Sequence, residues 1–366
     1  MRLGGLLPAG RLDRYVGGLF VASYATAFLL VVGLVIVLNL ASNLSFFEPW
    51  PDGRTASTLD IARYYVLSIP FLFLEVGPYV TVIAGMFTVS RLTRHNETIA
   101  TMAAGISTQR MLAPVFLGAT LAALGMFALR EVATRTIGPQ REALLDVLEN
   151  QRTERIEKKV WLRDRLGNVI RLGEYRPARR EFVDLQATLR RGKAIELVRA
   201  ERGRWVRSPD GPTWLLEGGV VESGGEGALE RPIRVLEGLS FTPEDVRTAL
   251  KAREGVLQLS FAEVEDLLRR DPSSAEYQTL LQYLLTFPLA NLVLLLVALP
   301  FMVGQERGKH VEGLVAGFLL CVFYFAVDFV CRALGMEGDL APLISSWLPV
   351  LLFGSLGAVL FGGMRS

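Results

Sequence analysis

Two histidines, His95 and His310, and two cysteines, Cys321 and Cys331, are all that a chain of 366 residues offers to soft-metal or nucleophilic chemistry. A zinc site needs three or four such ligands at a recognisable spacing, and none occurs. No Gly-x-Ser-x-Gly or comparable nucleophile motif occurs either. The cysteines stand ten apart in one apolar segment, face different directions on a helix and cannot pair with each other. The nearest thing to a phosphate-binding loop is Gly304–His310, reading GQERGKH. A Walker A loop has four residues between its glycines and Ser or Thr after the lysine. Here there are three, followed by His310, and the loop joins two apolar segments instead of a strand and a helix. No catalytic residue, metal ligand or cofactor is therefore assigned. Any ATP hydrolysis tied to this chain is expected in a separate protein.

The segment Arg91–Ser107 carries a different kind of chemistry. Ile99, Met102, Ala103 and Ile106 recur at i, i+3, i+4 and i+7, the spacing of one helical stripe. Arg94, Glu97, Thr98 and Thr101 fall on the other face, and Gly105 is placed to end or bend the helix. The pattern predicts a short amphipathic helix lying parallel to the membrane. It serves either as interfacial packing or as a docking helix whose Glu97 accepts charge-assisted hydrogen bonds from a partner's arginine. Two other acids stand inside apolar segments, Glu75 between Pro70 and Pro78, and Asp328 with Tyr324 and Arg332 one turn to either side. An acid at the centre of a bilayer costs about 2.5–3.5 kcal/mol, so such residues face a cavity, a partner or a local counter-charge. Asp328 can be satisfied locally by Arg332 and Tyr324.

The elements that must position these residues are membrane spans. The chain is 51% hydrophobic with a mean hydropathy of +0.35, and the excess falls in two blocks, about residues 16–130 and 277–363. A span takes about 20 apolar residues. Val16–Leu40, Tyr64–Val89, Met111–Leu129, Leu280–Val303, Val311–Val330 and Ala341–Phe361 qualify. Prolines 70 and 78 are expected to bend or break the second, and Pro288 and Pro300 lie inside the fourth. Trp347 is placed as an interfacial anchor. The first segment is far longer than a signal-peptide core of about 7–15 residues and is expected to be retained.

Arg2, Arg11, Arg14, Arg91, Arg94, Arg110, Arg307, Lys309 and Arg365 fall on one side of this set. Glu48, Asp52, Arg54, Asp60, Glu337 and Asp339 fall on the other. The positive-inside rule then puts both termini in the cytoplasm and the insert between the halves outside it. A net charge of +2 gives no ground for nucleic-acid binding.

The insert has a helical stalk at Thr136–Asn150, then period-two segments. Val160–Leu162 and Val169–Leu172 flank the hairpin signal Gly167-Asn168. In Ala194–Arg199, Ile195 and Leu197 alternate with Glu196 and Val198. Phe182–Leu189, Trp205–Val206, Trp214–Leu216 and Ile233–Leu236 are further strands, punctuated by turns such as Ser208–Pro212. Glu244–Arg270 leads back to the membrane. The expected fold is a polytopic α-helical membrane protein of six transmembrane helices, three plus three, with an inserted periplasmic antiparallel β domain, jelly-roll-like, its strand order open. The domain boundaries are 1–137, 138–275 and 276–366.

Glu97 eight residues before Gly105, the opening Leu12-Asp13-Arg14-Tyr15, the stretch Phe287–Phe301 (FPLANLVLLLVALPF), Gly317–Asp328 and Pro342–Pro349 together resemble the LptF/LptG lipopolysaccharide export permeases, in order along nearly the whole chain. The resemblance implies a permease half of an ABC transporter in the bacterial inner membrane. It implies a heterodimer with a paralogous permease subunit above a cytoplasmic ATPase dimer. A single-span LptC-like periplasmic partner and a periplasmic bridge protein receive the lipopolysaccharide, which enters between the first span of one chain and the fifth of the other. Carried over, Arg94, Glu97, Thr101 and Gly105 form the ATPase-coupling set. Tyr24, Val35, Asn39, Tyr324, Asp328 and Arg332 form the lateral gate and lipid path. Asp328 resembles a fifth-span Asp of LptG-like chains, but Asn39, Ser42 and Asn43 stand where that type carries basic residues. The choice between F and G stays open, leaning to LptG-like. Two other classes compete. A membrane-anchored periplasmic scaffold would need neither a docking helix nor prolines in several spans. A secondary transporter would show internal repeats and midplane ion sites.

Overall fold

The computed structural model describes residues 10–364 apart from 44–56, 151–155, 165, 178, 192–193, 209–210, 224–229, 237–238, 255–258 and 304–309. Most of the GQERGKH loop lies outside the described residues. So do Arg2, Glu48, Asp52, Arg54, Arg307, Lys309 and Arg365 of the orientation argument and the centre of the Ser208–Pro212 turn. The chain divides into two compact units: residues 10–43, 68–133 and 275–364, and residues 57–67 and 134–274. The second unit thus includes the start of the second span.

The first unit is a helical bundle. Its helices are α1 (Arg11–Ser42), α2 (Thr58–Arg94), the short α3 (Glu97–Ala103) and α4 (Thr108–Val132). After the insert come α8 (Ala275–Thr286), α9 (Ala290–Val303), α10 (His310–Glu337) and α11 (Pro342–Gly362). Six helical stretches among the described residues are long and apolar enough to cross a membrane, with α8 and α9 together making the fourth. Pro70 and Pro78 leave α2 unbroken. Pro288 instead splits the fourth span, where Phe287–Leu289 tightens into a 3-10 turn between α8 and α9. Asn291 pins the chain just after that break. Asn291 donates from Nδ2 to the Pro288 carbonyl at 2.7 Å and accepts from the Thr81 hydroxyl at 2.6 Å, with both side chains fully buried.

The core of the bundle is α9. Leu294, Leu295, Ala298 and Leu299 are fully buried among residues of α2, α4, α10 and α11. Small residues set the spacing. A Cβ on Gly357 of α11 would stand 2.8 Å from Leu296 Cβ and 3.0 Å from its backbone carbon, so the two helices meet there only because position 357 is glycine.

The second unit is built on α5 (Gly138–Asn150), which continues α4 through a π-helical turn at Ala133–Ile137. Six antiparallel strands follow: β1 (Glu157–Arg163), β2 (Val169–Arg176), β3 (Glu181–Arg191), β4 (Ala194–Ser208), β5 (Gly211–Ser223) and β6 (Glu230–Val235). Each pairs with its sequence neighbour, so the strand order is consecutive, a meander. The β1–β2 hairpin forms where Gly167-Asn168 predicted it. In β4 the phase differs from the sequence reading: Val198 and Ala200 are buried and Leu197 only half-buried. Further along β4, Gly203 makes room for the Phe182 ring, which a Cβ there would meet at 2.1 Å. The Trp214 ring lies 4.9 Å from Phe182 and 5.2 Å from Phe241, and its Nε1 donates to the Phe241 carbonyl at 2.9 Å.

Helices α6 (Pro243–Glu254) and α7 (Phe261–Arg270) close this unit through ion pairs. Lys251 reaches Glu142 of α5 at 2.6 Å and Glu263 of α7 at 3.6 Å. Buried Arg270 binds Asp245 at 2.7 Å and Asp266. Burial pushes the Arg270 pKa down, but the two carboxylates outweigh it and hold the group above its ordinary value. Removing one partner of such a buried set leaves an uncompensated charge.

Candidate functional site

At the arginine-bearing end of the bundle, α2 stops at Arg94 and the chain turns at Asn96, which takes a left-handed φ of 57°. Helix α3 then runs for only seven residues, Glu97 to Ala103. Gly105, at φ 78°, ends it: the Gly105 amide donates to the Met102 carbonyl and the Ile106 amide to that of Thr101, the paired bonds of a glycine-terminated helix. Ser107 caps α4 by accepting from the Arg110 amide.

Burial turns α3 around relative to the sequence expectation. Thr98 is the buried residue, and Thr101 and Met102 are half-buried. Ile99, 56% exposed, together with Ala100 and Ala103, faces outward. Seven residues bury little apolar area, so contact with neighbouring helices sets the rotation and overrides the stripe. Arg94 belongs to the last turn of α2 and is exposed, and it does not share the face of α3 with Glu97. The Thr101 hydroxyl bonds back to the Glu97 carbonyl at 2.7 Å.

Three residues outside the predicted coupling set complete the site. The Tyr15 hydroxyl donates to Glu97 Oε1 at 2.9 Å. Asp13 takes both arms of the Arg110 guanidinium, at 2.6 and 2.7 Å, and accepts from the Gly10 amide at 3.1 Å. Thus the first turn of α1 is tied to α3 by one contact and to α4 by the other. The available signal was Leu12-Asp13-Arg14-Tyr15 itself, an acid and a phenol two apart at the start of a span.

The residues expected at the gate fall into two sets. On α1, Tyr24 lines an apolar cavity of about 390 Å³ with Phe20, Phe28 and Phe73; Val35 is half-buried; Asn39 is exposed and accepts from Asn43. On α10, Tyr324 is buried against Phe353, and Asp328, 6% exposed, lies beside Arg332 and Tyr283. The Arg332 guanidinium sits 4.5 Å above the Tyr283 ring. Helix α1 packs chiefly on α4, and α10 on α8, α9 and α11, so this chain alone does not bring the two sets together. Glu75 is exposed one turn from Tyr79, which stacks on Phe325 of α10 at 4.1 Å. Trp347 donates to Gln282 at 3.1 Å, an internal contact that fixes its ring.

The family model for the lipopolysaccharide export system permease LptF/LptG matches residues 14–362. No curated protein matches the chain.

Proposed function

The chain belongs to the LptF/LptG family of lipopolysaccharide export permeases, and from that membership we propose that it is one half of an ATP-driven exporter whose motor is a separate cytoplasmic ATPase. Helix α3 is the docking element. The observation that supports this is the outward apolar face Ile99–Ala100–Ala103 beside a carboxylate that still has an oxygen to offer. Exposed Ile and Ala next to an ionisable edge is the composition of a small interface, in which the apolar face supplies area and Glu97 supplies register.

The orientation follows from the arginines: α3 and both termini in the cytoplasm, the β unit in the periplasm. The partners are a paralogous permease, an ATPase dimer, a single-span LptC-like protein and a periplasmic bridge. Lipopolysaccharide passes where α1 of one chain meets α10 of the other. The exposure of both helices within the single chain supports this, since each keeps a wide apolar surface uncovered. Asp328 and Arg332 lie on α10 near its outer end, and on α2 Glu75 is exposed one turn from Tyr79, which stacks on α10.

Glu97→Ala tests the docking role. Losing one charge-assisted hydrogen bond, about 1.5–3 kcal/mol, weakens ATPase binding roughly ten- to a hundredfold. Permease stability should change by about 0.5 kcal/mol or less. Pulldown of the ATPase and ATP hydrolysis coupled to transport are the measurements; wild-type values for both would reject the reading. Cysteine placed at Ser223, the last residue of β5, tests the orientation, because Cys321 and Cys331 are buried and give little background. Labelling by an impermeant reagent from the periplasm is expected. Labelling only after the inner membrane is opened would reverse the topology.

A further inference from the structure

We propose that Tyr15 is a positioning residue: its hydroxyl holds the Glu97 carboxylate in the geometry in which the partner receives it. This rests on the reading of Glu97 as the ATPase contact and adds to it the residue that acts through Glu97.

Glu97 has little else to fix it. It is the first residue of a helix of seven, entered through a left-handed Asn96. A helix this short is marginal alone, and its first residue frays first. Glu has three rotatable side-chain bonds, and freezing them on binding weakens a complex. Arg91, Arg94 and His95 stand nearby in sequence, yet among the described residues none forms an ion pair with Glu97. The one side-chain hydrogen bond its carboxylate makes there is the 2.9 Å bond from Tyr15, 82 residues away in sequence.

Tyr15 is itself held by its backbone. Its ring is 47% exposed, so packing does not fix it. Two residues earlier, Asp13 binds Arg110 through both oxygens and closes the first turn of α1 onto the Gly10 amide. That pair sets the rotation of α1 against α4, and the rotation delivers the phenol to α3. The bond occupies one site on Oε1. A carboxylate has about four acceptor sites, so Oε2 stays open to a guanidinium or ammonium from the partner. Tyr15 therefore orders Glu97 without competing for its charge.

The experiment is a double-mutant cycle on the detergent-solubilised permease complex, titrated with its own purified ATPase subunit. Tyr15→Phe removes one oxygen and leaves no cavity. It should weaken binding about two- to tenfold, the scale of one newly immobilised side chain. In a Glu97→Ala background it should change nothing, and that silence separates a role through Glu97 from a structural one. Wild-type or tighter binding by Tyr15→Phe, with Glu97→Ala weakened, overturns the positioning role and leaves the docking reading standing. An equal loss in both backgrounds also overturns it, because Tyr15 would then act on its own. Wild-type binding by Glu97→Ala rejects the docking reading, and this inference with it.

Discussion

The fourth span and the first span are both apolar helices of one bundle, and they are put to opposite use. Of the most apolar stretch of α8–α9, 67% is buried within the chain; of that of α1, 11%. The fourth span is interrupted by a proline, tied to α2 through Asn291 and Thr81, and met at close quarters by a glycine of α11. Helix α1 carries Leu29, Leu30, Leu34, Val37 and Leu38 outward and is covered along one strip only, through Val16, Phe20, Ala27 and Val32, with Asp13 and Tyr15 reaching α4 and α3 at its start. Hydropathy does not separate the two, because lipid and protein interior are equally apolar. What separates them is the distribution of small residues and internal polar contacts, which in a bilayer carry helix association in place of the hydrophobic effect. A span built that way is a fixed post. A span covered along one strip, with its flank bare, is suited to meeting another chain or lipid.

The largest effect expected from this contrast comes from paired glycines. Gly357→Leu drives a side chain into Leu296 and its backbone and should destabilise the bundle by about 3 kcal/mol. Gly33→Leu on α1 meets nothing within 4 Å and should be neutral, or stabilising by up to about 1 kcal/mol through helix propensity. Unfolding of each variant in detergent, followed by circular dichroism, reads both. Similar losses for the two would erase the distinction between the spans.

A smaller effect is expected at Asn291 of the fourth span. Asn291→Leu removes the amide that bonds the Pro288 carbonyl and accepts from Thr81. Interhelical hydrogen bonds in membranes average about 0.6 kcal/mol with a maximum near 1.7. The upper end applies here, because the interhelical bond from Thr81 is lost between two fully buried side chains. Asn39→Leu, on the exposed flank of α1, should leave stability unchanged. A silent Asn291→Leu would mean that the bond from Thr81 adds nothing to stability.

Much of this architecture was legible in the sequence. Hydropathy located all six spans, and Gly167-Asn168 located the first hairpin. The helix between the second and third spans was found by its periodicity and by the glycine that ends it. What periodicity cannot report is rotation against neighbours. Thr98 faces in and Ile99 out because α3 is too short for its own stripe to decide, and in β4 the pairing with β3 and β5 buries Val198 and Ala200 in place of Leu197. The pairs Tyr15–Glu97 and Asp13–Arg110 span 82 and 97 residues. Contacts at that separation leave no local pattern; only the residue types at the two ends, each unremarkable alone, record them.

The smallest effect on stability is the most informative about use. Leu34→Ala on α1 and Leu294→Ala on α9 delete the same atoms. In soluble proteins a buried Leu→Ala costs about 2–5 kcal/mol, part of it transfer from water and part the cavity left behind. In a membrane the transfer part vanishes, so Leu294→Ala should fall at the low end, about 2 kcal/mol, from lost packing against its fully buried neighbours. Leu34, 60% exposed, has no such packing within the chain and should cost the isolated protein less than about 0.5 kcal/mol. If the flank of α1 is covered by the paralogous permease, the order reverses once the pair is assembled. Retention of the second subunit would then fall for Leu34→Ala and hold for Leu294→Ala, since close packing is what joins helices in lipid. Unfolding of the single chain and subunit retention in the pair give the two readings. Leu34→Ala silent in both would leave the exposed face of α1 to lipid alone, whereas a loss confined to the pair would identify it as the surface on which the second chain packs.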